Sequence, residues 1–366
     1  MASSKVARDP WLDNAKMALV TLVVIGHAWT MLPVDELSAR LYDFLYAWHM
    51  PAFVLVTGYL SRAFTYAPER MWQLVRTVAV PYVLFECLMA LFRIHVGGEE
   101  LEDLFKDPHW PLWYLTALLC WRLMTPLFRP LPAVLAVTAA VVLSVTAGTL
   151  SGDGFELLDL SRVLGLLPFF VLGTVLTKER LELLRAPGAR WIALAVLVLV
   201  WQLAGHFHEE LSAEWLYYSA QYDELGASDL RGAATRLFLL GIGAVASLAF
   251  LALVPRRGGW FARMGAATLV VYLFHGFFVR GAEYAGYAEW AAARPDVAVA
   301  VTVVGSVAIA LALAAPPVAR RLQVVVDPFG AAQRRVDEAV GLTAAAQETG
   351  SLPPMQSTQP TEAASR

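Results

Sequence analysis

Residues 14–32 read NAKMALVTLVVIGHAWTML, a continuous apolar run that carries a lysine at position 16 and a histidine at position 27. A membrane helix needs about 20 mostly apolar residues, because each adds about 1.5 Å across a hydrocarbon core of roughly 30 Å. This run meets that length. Its basic flank, Lys5 and Arg8, suits either a signal peptide or an anchor. The internal Lys16 and His27, with no A-x-A site after them, favour a retained helix.

Outward from this segment, the chain repeats the pattern. Apolar runs fall near 42–60, 72–95, 110–125, 131–150, 161–177, 190–205, 235–254, 265–283 and 296–318, giving ten expected spans with the first. They are continuous rather than alternating, so helices are expected and a barrel is not. The whole 366-residue chain is 58% hydrophobic and 16% charged, with a mean hydropathy of +0.55. Soluble domains average roughly 45–50% apolar and about 25% charged residues. The expected fold class is therefore an all-α polytopic membrane protein. A disordered chain, a disulfide scaffold and a soluble nucleic-acid binder are excluded, and the net charge of −3 implies no polyanionic partner. Cys87 and Cys120 lie in apolar runs and are expected as small core residues.

The connecting segments give a direction. The set comprising 1–13, 61–71, 126–130, 178–190 and 255–264 carries twelve Lys and Arg, against four (Arg40, Lys106, Arg231, Arg294) in the alternate set. The positive-inside rule then places both termini in the cytoplasm. The outer segments are acidic, with Glu99, Glu100, Glu102 and Asp103 in one and Glu209, Glu210, Glu214 and Asp223 in another, as a solvated surface would be. Residues 1–320 read as one transmembrane domain. Residues 321–366 read as a cytoplasmic tail, drifting into Ser, Thr, Gln and Pro and disordered over 341–366.

Ionisable groups within lipid cost several kcal/mol unless they face a polar interior, so each is a functional candidate. Lys16 and His27 are eleven positions apart, almost three turns of helix. They share a face, about 16 Å apart along the axis. Lys16 falls near the cytoplasmic end and His27 in the outer half. Asp13, one turn before Lys16, can pair with it. A cation at the inner end suits a donor's phosphate, and the spacing compares with an extended pantetheine arm. Imidazole suits removal of a hydroxyl proton. The bland alternatives are a snorkelling Lys16 and a core histidine bonded to a backbone carbonyl. The mid-span position beside Gly26 favours function for His27.

The second span contains His49-Met50-Pro51 and Thr57-Gly58-Tyr59. His49 falls in the outer half, at the depth of His27. Pro51 should kink the helix, and Thr57-Gly58 should permit close packing. Glu86 lies mid-span and needs a partner or a proton. His275 lies deep in the ninth span and is expected to face the interior. Arg122 in the fourth span is a weaker candidate. Arg93, Arg162, Arg236 and Arg280 lie near helix ends, where snorkelling is the simpler expectation. No Walker, G-x-S-x-G or H-E-x-x-H pattern occurs. The cluster His206-Phe207-His208-Glu209 has no identifiable further ligands, so no metal is expected.

These segments resemble the acyltransferase-3 family of integral membrane acyltransferases, and most nearly its fucose-4-O-acetylase-like branch. The opening Arg8-Asp9-Pro10-Trp11-Leu12-Asp13-Asn14-Ala15-Lys16 is similar to the family's N-terminal signature. Lys16 and His27 meet its pattern of a basic residue, ten intervening residues and a histidine. His49-Met50-Pro51 through Thr57-Gly58-Tyr59 meets its second-span pattern, with Thr57 where serine is usual. Trp113-Tyr114-Leu115, the stretch Pro168-Phe169-Phe170-Val171-Leu172-Gly173, and Tyr272-Leu273-Phe274-His275 are shorter echoes. The resemblance covers roughly residues 8–320.

It implies a ten-helix enzyme of the plasma membrane. Such an enzyme moves an acyl group, usually acetyl, from cytoplasmic acyl-CoA (acetyl-CoA in the simplest case) to an extracytoplasmic sugar hydroxyl. No appended periplasmic domain is expected, which leaves acceptor choice to the external loops and bundle mouth. His27 then matches the catalytic histidine, with His49 and Glu86 assisting. Lys16 matches the CoA-side basic residue, supported by Asp13 and Arg8. Thr57, Trp113 and His275 are expected on the substrate side. Two other classes remain open: a transporter or flippase using the same buried charges as a path, and a non-catalytic partner in which Lys16 and His27 only pack.

Overall fold

The computed structural model describes residues 9–101, 109–150, 159–207 and 211–333. Arg8, His208, Glu209, Glu210, Glu102, Asp103 and most of the expected tail lie outside the described residues. Among those described, the chain is helical and contains no strand.

Helix α1 (Pro10–Trp29) starts where Asp9 accepts from the Trp11 amide at 3.0 Å, with Pro10 at a position whose missing N–H costs nothing. Helices α2 (Glu36–Tyr46) and α3 (His49–Ser61) follow, the first opened by a capping box between Asp35 and Ser38. Next come α4 (Pro68–Leu74), a π turn (Val75–Ala79) and α5 (Val80–His95). The π turn sits just ahead of Pro81. That proline lacks an amide and would crowd a regular α ladder there. Helices α6 (Trp113–Phe128), α7 (Ala133–Ala147), α8 (Leu160–Val175) and α9 (Lys178–Glu182) come next. Then follow α10 (Ala189–Phe207), α11 (Asp229–Leu253), α12 (Trp260–Met264) and α13 (Thr268–Tyr284). Helices α14 (Tyr287–Ala292), α15 (Pro295–Ala314) and α16 (Pro316–Val326) end the described bundle.

Among the described residues, five helical stretches are long and apolar enough to cross a membrane: Pro68–His95, Ala189–His206, Asp229–Leu253, Trp260–Tyr284 and Pro295–Ala314. A sixth arises if Leu160–Val175 is joined to Lys178–Arg185, which turns away by 95°. The remaining expected segments fall on helices that are shorter or more polar. Helix α1 is 20 residues long but includes Asp13, Asn14, Lys16 and His27. Its position accounts for this composition. It packs against α2, α3, α12, α13 and α15, and Ala15, Met17, Leu19, Val20 and Val24 are buried around its whole circumference. The start of α1 is tied down where the Trp11 indole donates to the Leu251 carbonyl at 3.1 Å. The Asn14 amide also donates to the Pro255 and Arg257 carbonyls at 2.8 and 3.1 Å.

The outward surface is apolar, with Val83, Leu91, Val134, Trp191, Ile192, Val198 and Val304 all exposed. Large exposed apolar surface on a helical bundle is what a lipid solvent accepts and water does not. Cys87 is on this outer surface and Cys120 is half-buried, which corrects the expectation that both are core residues. Both are apolar enough to face lipid.

The second expected span is broken ahead of Pro51, not at it. The helix stops at Tyr46, Trp48 adopts φ −142°, and α3 begins at His49. Pro51 therefore sits in the first turn of α3, where an amide would have no intrahelical acceptor. Farther along, α3 lies directly on α8. A Cβ on Gly58 would collide with the Phe170 carbonyl, and one on Gly173 with the Leu55 carbonyl. The two glycines let the helix backbones touch. At the described end, Asp327 pairs with Arg76 at 3.4 Å, and Val326 is buried.

Candidate functional site

The side chain of His27 lines a cavity of about 240 Å³ at the C-terminal end of α1. Trp110, Trp113, Tyr42, Tyr46, Tyr217 and Arg162 form most of the remaining wall. The Trp110 ring lies against the His27 ring, centroids 4.3 Å apart. The Arg280 guanidinium also lies 5.4 Å from the Trp110 ring centroid.

A second imidazole lies behind the first. Nδ1 of His27 is 2.8 Å from Nε2 of His275, and the rings stack with centroids 5.1 Å apart. Nδ1 of His275 in turn lies 2.6 Å from the Tyr272 carbonyl, within the same turn of α13. Both histidines are buried. No carboxylate stands within ion-pair distance of either ring among the described residues.

The segment that carries Trp110 is held by two groups. The buried Glu86 carboxylate accepts from the backbone amide of His109 at 2.9 Å and also contacts the His109 ring. The Tyr272 hydroxyl donates to the Pro111 carbonyl at 2.5 Å. Glu86 therefore finds its partner in His109, one residue from the ring that covers His27. It does not line the cavity.

Arg162 corrects its sequence reading. It does not reach out to solvent. Its guanidinium pairs with Asp159 at 2.8 Å, donates to the Tyr217 carbonyl at 3.2 Å and lies 4.7 Å from the Trp113 ring centroid. A fork of planar donors can satisfy all three at once. Arg236 is likewise buried rather than snorkelling, resting against Tyr218 and Tyr222 with a carbonyl at 3.4 Å. Arg93 pairs with Glu99, and Arg280 with Glu283 at 2.7 Å.

The cavity's outer rim is the Tyr42–Tyr217 hydroxyl pair, 2.6 Å apart. Burial pushes the Tyr217 phenol above its ordinary value, so it remains an undissociated hydroxyl. Beyond this pair lies a second cavity of about 270 Å³, reached by Trp29, Ser38 and Asp43.

The other expected residues are distributed around this centre. His49 opens α3; its Nδ1 donates to the Leu45 carbonyl at 2.8 Å, bridging the helix break, and its ring meets Tyr46 edge-on. Thr57 bonds the Tyr114 hydroxyl and the Phe53 carbonyl, and does not reach the His27 cavity. Trp113 does reach it. Lys16 pairs with Asp13 at 2.7 Å at the opposite end of α1, about 16 Å from His27 by helical rise. A separate polar cavity of about 150 Å³ is lined by Ser61, Arg70, Gln73 and Arg122, with Arg122 Nε 3.3 Å from the Ser61 hydroxyl. Among the described residues no group of three His, Cys, Asp or Glu could hold a metal ion.

Trp110, Tyr42, Tyr46 and Tyr217 escaped the sequence reading. Aromatic residues at helix ends normally mark the membrane interface, and that signal conceals a cavity wall.

No curated protein and no solved structure matches the chain. The family model described as an acyltransferase domain matches residues 9–315, from the start of α1 to the end of α15. With that match over most of its length and with helices apolar enough to span a bilayer, the chain belongs to the acyltransferase-3 family and is a membrane acyltransferase.

Proposed function

We propose that this protein transfers an acyl group, acetyl in the simplest case, from cytoplasmic acyl-CoA to a hydroxyl of an extracytoplasmic glycan or glycosylated metabolite. The acceptor class is that of the fucose-4-O-acetylase-like branch. The ten apolar segments would be ten spans of the plasma membrane with both termini cytoplasmic, and lipid and acyl-CoA would be the partners. The observation that carries this reading is His27, set in the wall of an aromatic cavity at the end of α1 remote from Lys16.

Aromatic rings suit a sugar, because they cover its C–H faces while hydroxyls reach the few polar groups. Nε2 of His27 takes the proton as the acceptor O–H bond breaks. The oxygen bonds the thioester carbonyl carbon. The C–S bond then breaks, and the departing thiolate takes that proton to give free CoA. At the other end of α1, Lys16, oriented by Asp13, would hold the donor's phosphates, with Arg70 and Arg122 of the polar cavity as further cations.

The test is turnover of labelled acetyl-CoA by purified protein in proteoliposomes, beside His27→Ala. Release of CoA that depends on His27 supports the reading. A folded wild type that neither binds nor turns over acyl-CoA overturns it in favour of a transporter.

A further inference from the structure

We infer that His275 is a positioning residue that holds His27 in the Nδ1–H tautomer and so leaves a bare Nε2 facing the cavity. The argument follows hydrogen-bond polarity along the row. The Tyr272 carbonyl can only accept, so the proton between it and His275 belongs to Nδ1 of His275. A buried imidazolium without a carboxylate is costly, so both rings rest neutral. A neutral His275 that is protonated on Nδ1 has only a lone pair at Nε2. The contact of 2.8 Å from that atom to His27 then requires a proton on Nδ1 of His27. His27 has one ring proton in its neutral form, so its Nε2 carries none. No protein group bonds that atom among the described residues, and the ring borders the cavity.

The row sets direction as well as tautomer. The Tyr272 hydroxyl fixes the Pro111 carbonyl, next to Trp110, whose ring lies against His27. One turn of α13 thus fixes the His27 ring from two sides. When Nε2 gains a proton, the charge on His27 is shared through Nδ1–H to the lone pair of His275. Among the described residues, His275 is the hydrogen-bond partner of that Nδ1–H. The role rests on the proposed function for its kinetic consequence, but not for its tautomer.

The experiment is nitrogen NMR of 15N-histidine-labelled protein in proteoliposomes at pH 7.5, with His27→Gln and His275→Gln to assign the two rings. The expected spectrum has both rings protonated on Nδ1 with bare Nε2 atoms. A His27 protonated on Nε2, or a His275 protonated on Nε2, overturns the inference. Turnover of acetyl-CoA gives the second arm. His275→Leu should lower kcat about 100-fold with KM for acetyl-CoA within about 2-fold. His275→Gln, whose amide oxygen can accept from the same Nδ1–H, should restore most of that loss. Equal losses in two folded variants overturn the positioning role. A wild type without turnover defeats the acyl-transfer reading alone, and the tautomer is then decided by the spectrum.

Discussion

His27 and His275 lie 248 residues apart in the chain, and their ring nitrogens meet at 2.8 Å. The contact joins α1 to α13 where the buried His27 imidazole also borders an aromatic cavity. Replacing His27 with Gln keeps a polar group of similar size facing His275. Turnover of acetyl-CoA should fall by about 100- to 10,000-fold, the range for loss of a general base. Thermal unfolding should move little. Stopped assays of CoA release beside melting curves in detergent check both.

The two ends of α1 should separate kinetically. Lys16→Met removes the cation paired with Asp13, and Arg122→Met removes a guanidinium from the polar cavity lined by Ser61 and Arg70. Either should raise KM for acetyl-CoA about 10-fold with kcat nearly unchanged, the signature of lost ground-state binding. A fall in kcat with unchanged KM would place these residues at the chemistry instead.

Glu86→Leu leaves the buried His109 amide without its acceptor. A buried donor left unpaired costs about 1–3 kcal/mol. The expected result is a lowered unfolding midpoint together with freer Trp110 fluorescence, since the clasped segment carries that ring. Glu86→Gln keeps an acceptor oxygen and should lose less.

Gly58→Leu should be severe. Its Cβ would strike the Phe170 carbonyl, and neither helix backbone can retreat without opening the α3–α8 seam. A cost above about 3 kcal/mol, or failure to fold, is expected from overpacking of this kind. Recovery of folded protein by size-exclusion chromatography is the readout.

The Arg93–Glu99 pair should make the fold acid-sensitive. Hydrogen bonds from Arg93 hold Glu99 below its ordinary value of 4.5, aided by the Tyr284 hydroxyl. A depressed carboxylate contributes stability that is fully present above its unfolded value and is lost as pH falls through its folded value. Unfolding midpoints should therefore decline below about pH 4.5. Glu99→Gln should flatten that decline. An identical acid limb in the variant would show that other groups cause it.

Much of this was legible in one dimension. Spans are local: twenty apolar residues state their own length, and the Lys16–His27 spacing states their shared face. The break at Trp48 was not legible, because Pro51 is compatible with both a kink and a first turn. Arg162 and Arg236 read as snorkelling side chains because their positions near helix ends say nothing of what packs beside them. Their partners, Asp159 with the Tyr217 carbonyl and Tyr218 with Tyr222, come from connecting segments between helices.

The sequence by itself determined the helical, apolar character of the chain, the basic and histidine residues on α1, and the family that their pattern resembles. These follow from periodicity and composition, which need no knowledge of neighbours. Only the tertiary structure decided that His275 is the neighbour of His27, that Glu86 clasps His109, and that Trp110 lies against the His27 ring. Each is a contact between side chains far apart in sequence. Its geometry is set by how rigid helices pack, and hydropathy along a chain does not encode that.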